Sequence, residues 1–185
     1  IYLLSRWLRV EGLENGTKSL SVLNGLDSEH PHYTTTILAN ECIRRGHSVA
    51  YVTPGDFVIQ GDNSMHVHAT CVPKKKYRTF KEFFFALQEN SERRLVPIEE
   101  IDVLMLRNDP SNDAGERPWA EGAGVLFGRE AARRGVLVLN DPDGLSRAVN
   151  KLYFQGFPEE VRAETLISKT AADIKAFSKI GRAHV

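Results

Sequence analysis

Apolar positions along this chain fall into two alternating rhythms. Short runs at 20–23, 48–52, 101–106 and 136–139 are nearly unbroken, which is the pattern of strands buried in a sheet; 136–139 reads as buried on both faces. Between them lie stretches with helical spacing. Ile37, Leu38, Cys42 and Ile43 line one face, and Phe80, Phe83, Phe84 and Leu87 line another. A third helix opens with Pro118 at its first position and runs to about Arg134. In a fourth, Leu145, Ala148, Val149, Leu152 and Tyr153 fall at i, i+3, i+4, i+7 and i+8.

The residues between these segments agree with the division. Thr34, Thr35 and Thr36 offer caps for the first helix, and Gly46 and Gly135 end helices just after paired arginines. Pro142 has no amide to donate and pushes Asp141 into extended backbone, so Asp143 or Gly144 caps the fourth helix. Segments 57–59 and 65–72 flank Gly61-Asp62-Asn63 as a hairpin, with Met65, Val67, Ala69 and Cys71 alternating against His66, His68 and Thr70. Segment 165–167 reads as a further strand, and Thr170 with Asp173 as a capping-box start to a helix over 171–177. Strand–helix–strand alternation predicts an α/β fold with a mainly parallel sheet. Gly122, Gly124 and Gly128 miss the dinucleotide fingerprint, because Phe127 stands where the third glycine belongs; close helix packing accounts for them.

Composition narrows the classes. Lys and Arg number 24 against 24 Asp and Glu, so no net field draws the chain to nucleic acid. No apolar run approaches the ~20 residues of a membrane span. Cys42 and Cys71 lack C-x-x-C spacing and fall in apolar segments, as reduced thiols of a cytoplasmic protein do. His66 and His68 project to one side of a strand as solvated histidines or as two metal ligands without a third. Lys74-Lys75-Lys76 reads as a solvated turn. The first eighteen residues carry no clear pattern and are set apart as an extension; 180–185 resemble an in-frame sequencing adapter and are excluded from fold reasoning.

No Walker A, G-x-S-x-G, H-E-x-x-H or C-x-x-C motif is present. In a parallel sheet, ligands sit beyond the carboxyl ends of the strands. Those ends carry Asn24 and Asp27, Asp56, Arg107 with Asp109, and Asn140 with Asp141, a rim suited to a polar, zwitterionic or peptide-like ligand and equally to structural turns. Lys151 lies off the apolar stripe of its helix, either as an ordinary solvated lysine or as a cation held for an anionic ligand. On these residues alone, a polar-ligand binding module and an enzyme domain both stand.

Pro54-Gly55-Asp56 with the hairpin, Asp102 to Arg107 followed by Asn108-Asp109-Pro110, and Leu139 to Arg147 through Asn150-Lys151-Leu152 occur in this order. With Phe157-Pro158 and 165–167 they resemble the amino-terminal half of bacterial glutathione synthetases and related ATP-grasp ligases, over about Ser19 to Lys179. The resemblance implies a pre-ATP-grasp substrate domain over 19–142 and the start of an ATP-grasp domain over 143–179, cut short of its remaining nucleotide clamp and inactive alone. It implies an enzyme that joins γ-glutamylcysteine to glycine through an acyl phosphate, with ATP and Mg²⁺ as cofactors and the Mg²⁺ ligands further along the chain. A sibling ligase would take another amino acid or a protein tail. Lys151 takes the place of a nucleotide-phosphate ligand, and Arg107 and Asp109 fall on the substrate-facing rim. Thr34 and Thr35, at a helix start, are candidates to receive a carboxylate. The implied partners are small molecules in the cytoplasm, with neither nucleic acid nor membrane, and homo-oligomerisation is compatible with them. The chain departs from the family pattern at Asn150, where an acidic residue is usual, and in its longer loop from Ser111 through Trp119.

Overall fold

The computed structural model describes residues 16–113 and 115–180, so 1–15 and 181–185, most of the two termini set apart above, lie outside the described residues. The chain divides into two compact units, Ile1–Asp143 and Gly144–Val185.

The first unit is an α/β layer. Its sheet runs β3-β4-β2-β1-β6-β7, with β5 on the other edge of β4. The strands are β1 (Lys18–Val22), β2 (Ser48–Val52), β3 (Phe57–Ile59), β4 (Met65–Cys71), β5 (Glu92–Pro97), β6 (Val103–Leu106) and β7 (Leu137–Leu139). β1 pairs in parallel with β2 and β6, and β6 with β7, while β4 is antiparallel to β2, β3 and β5. Helices α1 (Thr34–Arg44) and α3 (Ala123–Arg133) are the crossovers β1–α1–β2 and β6–α3–β7; α2 (Phe80–Glu89) joins α1 on one face. There Ile43, Val49, Tyr51, Phe83 and Leu87 form a common core. By strand alternation Leu20, Val22, Val52, Leu104 and Leu106, all buried, point to the other face, where α3 lies. Gly124 and Gly128 do pack closely, since a Cβ on Gly128 would stand 2.9 Å from Leu106 Cδ1 and one on Gly124 2.7 Å from Asn108 Oδ1. Gly122 has open space around it, so it does not share that role.

Both crossover helices end alike. Gly46 and Gly135 each sit at φ +90, and the amides of the residues after them, His47 and Val136, reach back to the carbonyls of Cys42 and Ala131 at 3.0 and 3.1 Å. A left-handed glycine with this six-to-one bond is the Schellman stop, which arginine pairs ahead of glycine foreshadowed.

Several expectations are corrected. The threonines are not caps: Tyr33 is the N-cap of α1 without a side-chain bond, and Thr34–Thr36 form the first turn. β7 is the edge of the sheet with Leu137 exposed, so this strand is not buried on both faces. Pro118 opens only a 3₁₀ turn, Pro118–Ala120, and α3 begins at Ala123. The helix after Asp141 is short, α4 (Pro142–Ala148), and its apolar stripe is not assembled. Asn150 interrupts it by accepting a hydrogen bond from the Leu152 amide at 2.9 Å, which starts a separate 3₁₀ turn, Lys151–Gly156. Val149 and Leu152 are consequently exposed.

In the second unit, segment 165–167 pairs with no strand and is extended coil. Helix α5 (Ala171–Ile180) begins as expected, but Ser168 rather than Thr170 meets Asp173, its Oγ donating at 2.7 Å. Tyr153, Phe154 and Phe157 gather with ring centroids 5.3–6.3 Å apart. Among the described residues no helix is long and apolar enough to cross a membrane.

Candidate functional site

β1 lies between β2, reached through α1, and β6, on its other side, so the crossovers diverge at the carboxyl ends of β1 and β6. A crevice at such a divergence is where open α/β sheets hold ligands. Arg107 follows β6 there, its amide bonded to the Val22 carbonyl at 3.0 Å, and the loop after β1 returns to the start of α1.

Most polar groups of this rim are engaged in building it. Asn24 donates to the Asp109 carbonyl at 2.7 Å and to Asp113 Oδ2 at 2.8 Å, and accepts from the Asp109 amide at 2.7 Å. Asp113 is fully buried and also receives Arg117, which reaches the Asn24 carbonyl at 2.7 Å. The longer loop is therefore tied to the end of β1, and it sets Trp119 against Gly55, where an added Cβ would lie 3.2 Å from the indole. Asp109 caps a 3₁₀ turn through the amide and hydroxyl of Ser111, at 3.0 and 2.7 Å. Asp56 closes a capping box with Thr53 and pairs with Arg93 at 2.5 Å.

Arg107 is different. It is exposed and has no carboxylate within ion-pair distance among the described residues; its Nε points to Thr35 Oγ1 at 3.4 Å. Thr35 is buried and Thr34 exposed in the first turn of α1, which has no side-chain cap and no acidic residue. The positive end of a helix beside a guanidinium with no carboxylate partner among the described residues presents positive potential to an anionic group. Arg107, Thr34 and Thr35 are thus brought together, whereas Asp109 Oδ1 is engaged by its own turn.

Sequence reasoning missed a further member of this cluster. Glu29 is 7% exposed, and its Oε2 accepts the Thr36 hydroxyl at 2.8 Å. Burial raises its pKa, while the Thr36 bond and the charges of Arg107 and His30 pull it back. Tyr51 lies beside it, fully buried, with a hydroxyl that has no aligned hydrogen-bond partner. A glutamate in a loop carries no sequence signal of burial; only the return of the chain over β2 puts it there.

Lys151 lies in the second unit. It opens the turn Lys151–Gly156, is exposed, forms no ion pair among the described residues, and has Nζ 6.0 Å from the centre of the Phe154 ring. An unpaired ammonium next to an aromatic ring suits a phosphate-bearing ligand with a flat base. For a divalent cation the fit is lacking: no group of three or more His, Cys, Asp or Glu among the described residues is placed to hold one, His66 and His68 included.

Comparison with known proteins adds the deciding observation. The family described as prokaryotic glutathione synthetase, N-terminal domain, matches residues 21–146, well over half the chain. This chain belongs to that family. The glutathione synthetase of Xanthomonas axonopodis pv. citri (strain 306) is 33% identical over 144 residues, covering 78% of this chain and 42% of that relative. That of Escherichia coli (strain K12) is 28% identical over 138 residues, 74% of this chain and 39% of its own length. That of Yersinia pestis is 28% identical over 145 residues, 78% and 41%. The chain thus spans about two fifths of the curated glutathione synthetases it matches. The family match contains Arg107, Asp109, Thr34 and Thr35 and ends before Lys151.

Proposed function

We propose that this chain is the substrate-side part, and the opening of the nucleotide-binding part, of an ATP-dependent ligase joining γ-glutamylcysteine to glycine. The family match over residues 21–146 carries the reading. ATP would supply the phosphoryl group that turns the dipeptide's cysteinyl carboxylate into an acyl phosphate; the glycine amine then displaces phosphate and forms the new amide. Arg107 and the first turn of α1 hold a carboxylate of the dipeptide, and Lys151 neutralises phosphate oxygens of the nucleotide. The Mg²⁺ that accompanies ATP draws its ligands from outside the described residues. The two unpaired thiols, Cys42 and Cys71, suit a reducing cytoplasm. A second reading, a sibling ligase with another amine or a protein tail as acceptor, is favoured by the loop from Ser111 through Trp119, which departs from the family pattern at the rim.

The test is a split of kinetic constants in the full-length protein. Arg107→Ala is expected to raise the KM for γ-glutamylcysteine by about tenfold or more with little change for ATP, and Lys151→Met to do the reverse. If neither substitution changes either constant, the assignment of these two cations is wrong.

A further inference from the structure

Arg107 and the start of α1 account for a negative group on the ligand, but the cluster beside them carries the opposite charge. Glu29 is anchored by one oxygen only. Its Oε2 is held by Thr36, whereas Oε1 accepts no bond among the described residues and is not among the buried atoms left without a partner, so it still meets solvent. Next to it Tyr51 is fully buried with its hydroxyl beside Thr36, so it forms the wall behind Glu29. Arg107 acts on Glu29 electrostatically yet lies beyond ion-pair distance, so each charge keeps capacity for a group of opposite sign. A cation-accepting oxygen and an anion-accepting guanidinium therefore lie at the same sheet divergence without neutralising each other.

From this we infer that Glu29 recognises the α-ammonium of the substrate while Arg107 and α1 take the α-carboxylate on the same carbon, so that the site reads a zwitterionic amino-acid head. The inference rests on the proposed function, in which the γ-glutamyl end of the dipeptide carries such a head. It makes Glu29 a specificity-determining residue. A ligand with the carboxylate alone would leave the glutamate facing an unneutralised site, and such unpaired charge is a strong source of discrimination in a polar pocket.

The experiment compares γ-glutamylcysteine with glutarylcysteine, which lacks only the α-amino group, by calorimetric titration of the full-length protein. The wild type is expected to bind the amino compound about tenfold more tightly, a preference that Glu29→Gln reduces to near unity by weakening only that ligand. The amide oxygen of that variant can still accept the Thr36 hydroxyl, and Arg107→Ala, at an exposed position, serves as a second folded variant that weakens both compounds alike and leaves the preference in place. Equal binding of the two compounds by the wild type, or a preference intact in Glu29→Gln, would overturn the inference. Failure of the proposed function reads out separately, as absence of ADP release by the full-length protein with the dipeptide and glycine.

Discussion

Charged residues at the sheet rim divide by what already occupies them. Asp56 and Asp113 each pair with an arginine, so their carboxylates shape loops; Asp109 shapes its turn through one oxygen, and Arg107 and Glu29 also keep bonding capacity. Glu41, at the far end of α1, shows the structural extreme. Arg44 grips it with two bonds of 2.6 Å and Arg45 with one of 2.7 Å, and these hold its pKa down to about 2 from 4.5. A lowered carboxylate pKa stabilises the fold above the unfolded value and loses that contribution as pH falls through the folded one. Glu41→Gln should therefore lower the denaturation midpoint at neutral pH, by a small amount because its side chain is a third exposed, and the gap to wild type should close between pH 4.5 and about 2. Denaturant titrations at several pH values check this, and a gap independent of pH would contradict it. Glu29 runs the other way: its raised pKa means that its ionisation weakens the fold as pH rises, a cost borne where a ligand can use the charge.

At the scale of elements, the contact of α3 with the sheet depends on the missing side chain at Gly128. Gly128→Ala brings a methyl to 2.9 Å from Leu106 Cδ1 and 3.3 Å from Pro142 Cγ, and such overpacking costs ~1–3 kcal/mol. Gly122→Ala, in open space, should leave stability nearly unchanged; urea denaturation of the pair separates a packing role from a general glycine effect. Period and stop signals made β1, β2, β4, β6 and both crossover helices legible, because apolar spacing and left-handed glycines report local geometry directly. β5 was not legible. Its sequence, Glu-Arg-Arg-Leu-Val-Pro, is charged and mostly exposed, yet it pairs with β4 over six residues. Charged edge strands resist further pairing, so a hydropathy pattern passes over them. The stripe from Leu145 to Tyr153 misled for the opposite reason: its spacing is helical, but the Asn150 side chain competes with the helix ladder at the amide of Leu152. The candidate site was half legible. Arg107 followed from the carboxyl ends of the strands and the threonines from the start of a helix, whereas Glu29 and Tyr51 meet only through tertiary contact.

For the molecule as a whole, the first unit supplies a polar crevice at a sheet divergence and the second an exposed lysine near an aromatic cluster. The chain spans about two fifths of the synthetases it matches. The central claim is that the longer protein couples ATP cleavage to formation of one amide bond. The most direct measurement is ADP release by the full-length protein, with the peptide product identified by mass, while γ-glutamylcysteine and glycine are omitted in turn. The account predicts ADP and the tripeptide in equal amounts only when both are present. ADP release that ignores glycine, or a product bearing a different amine, would contradict it.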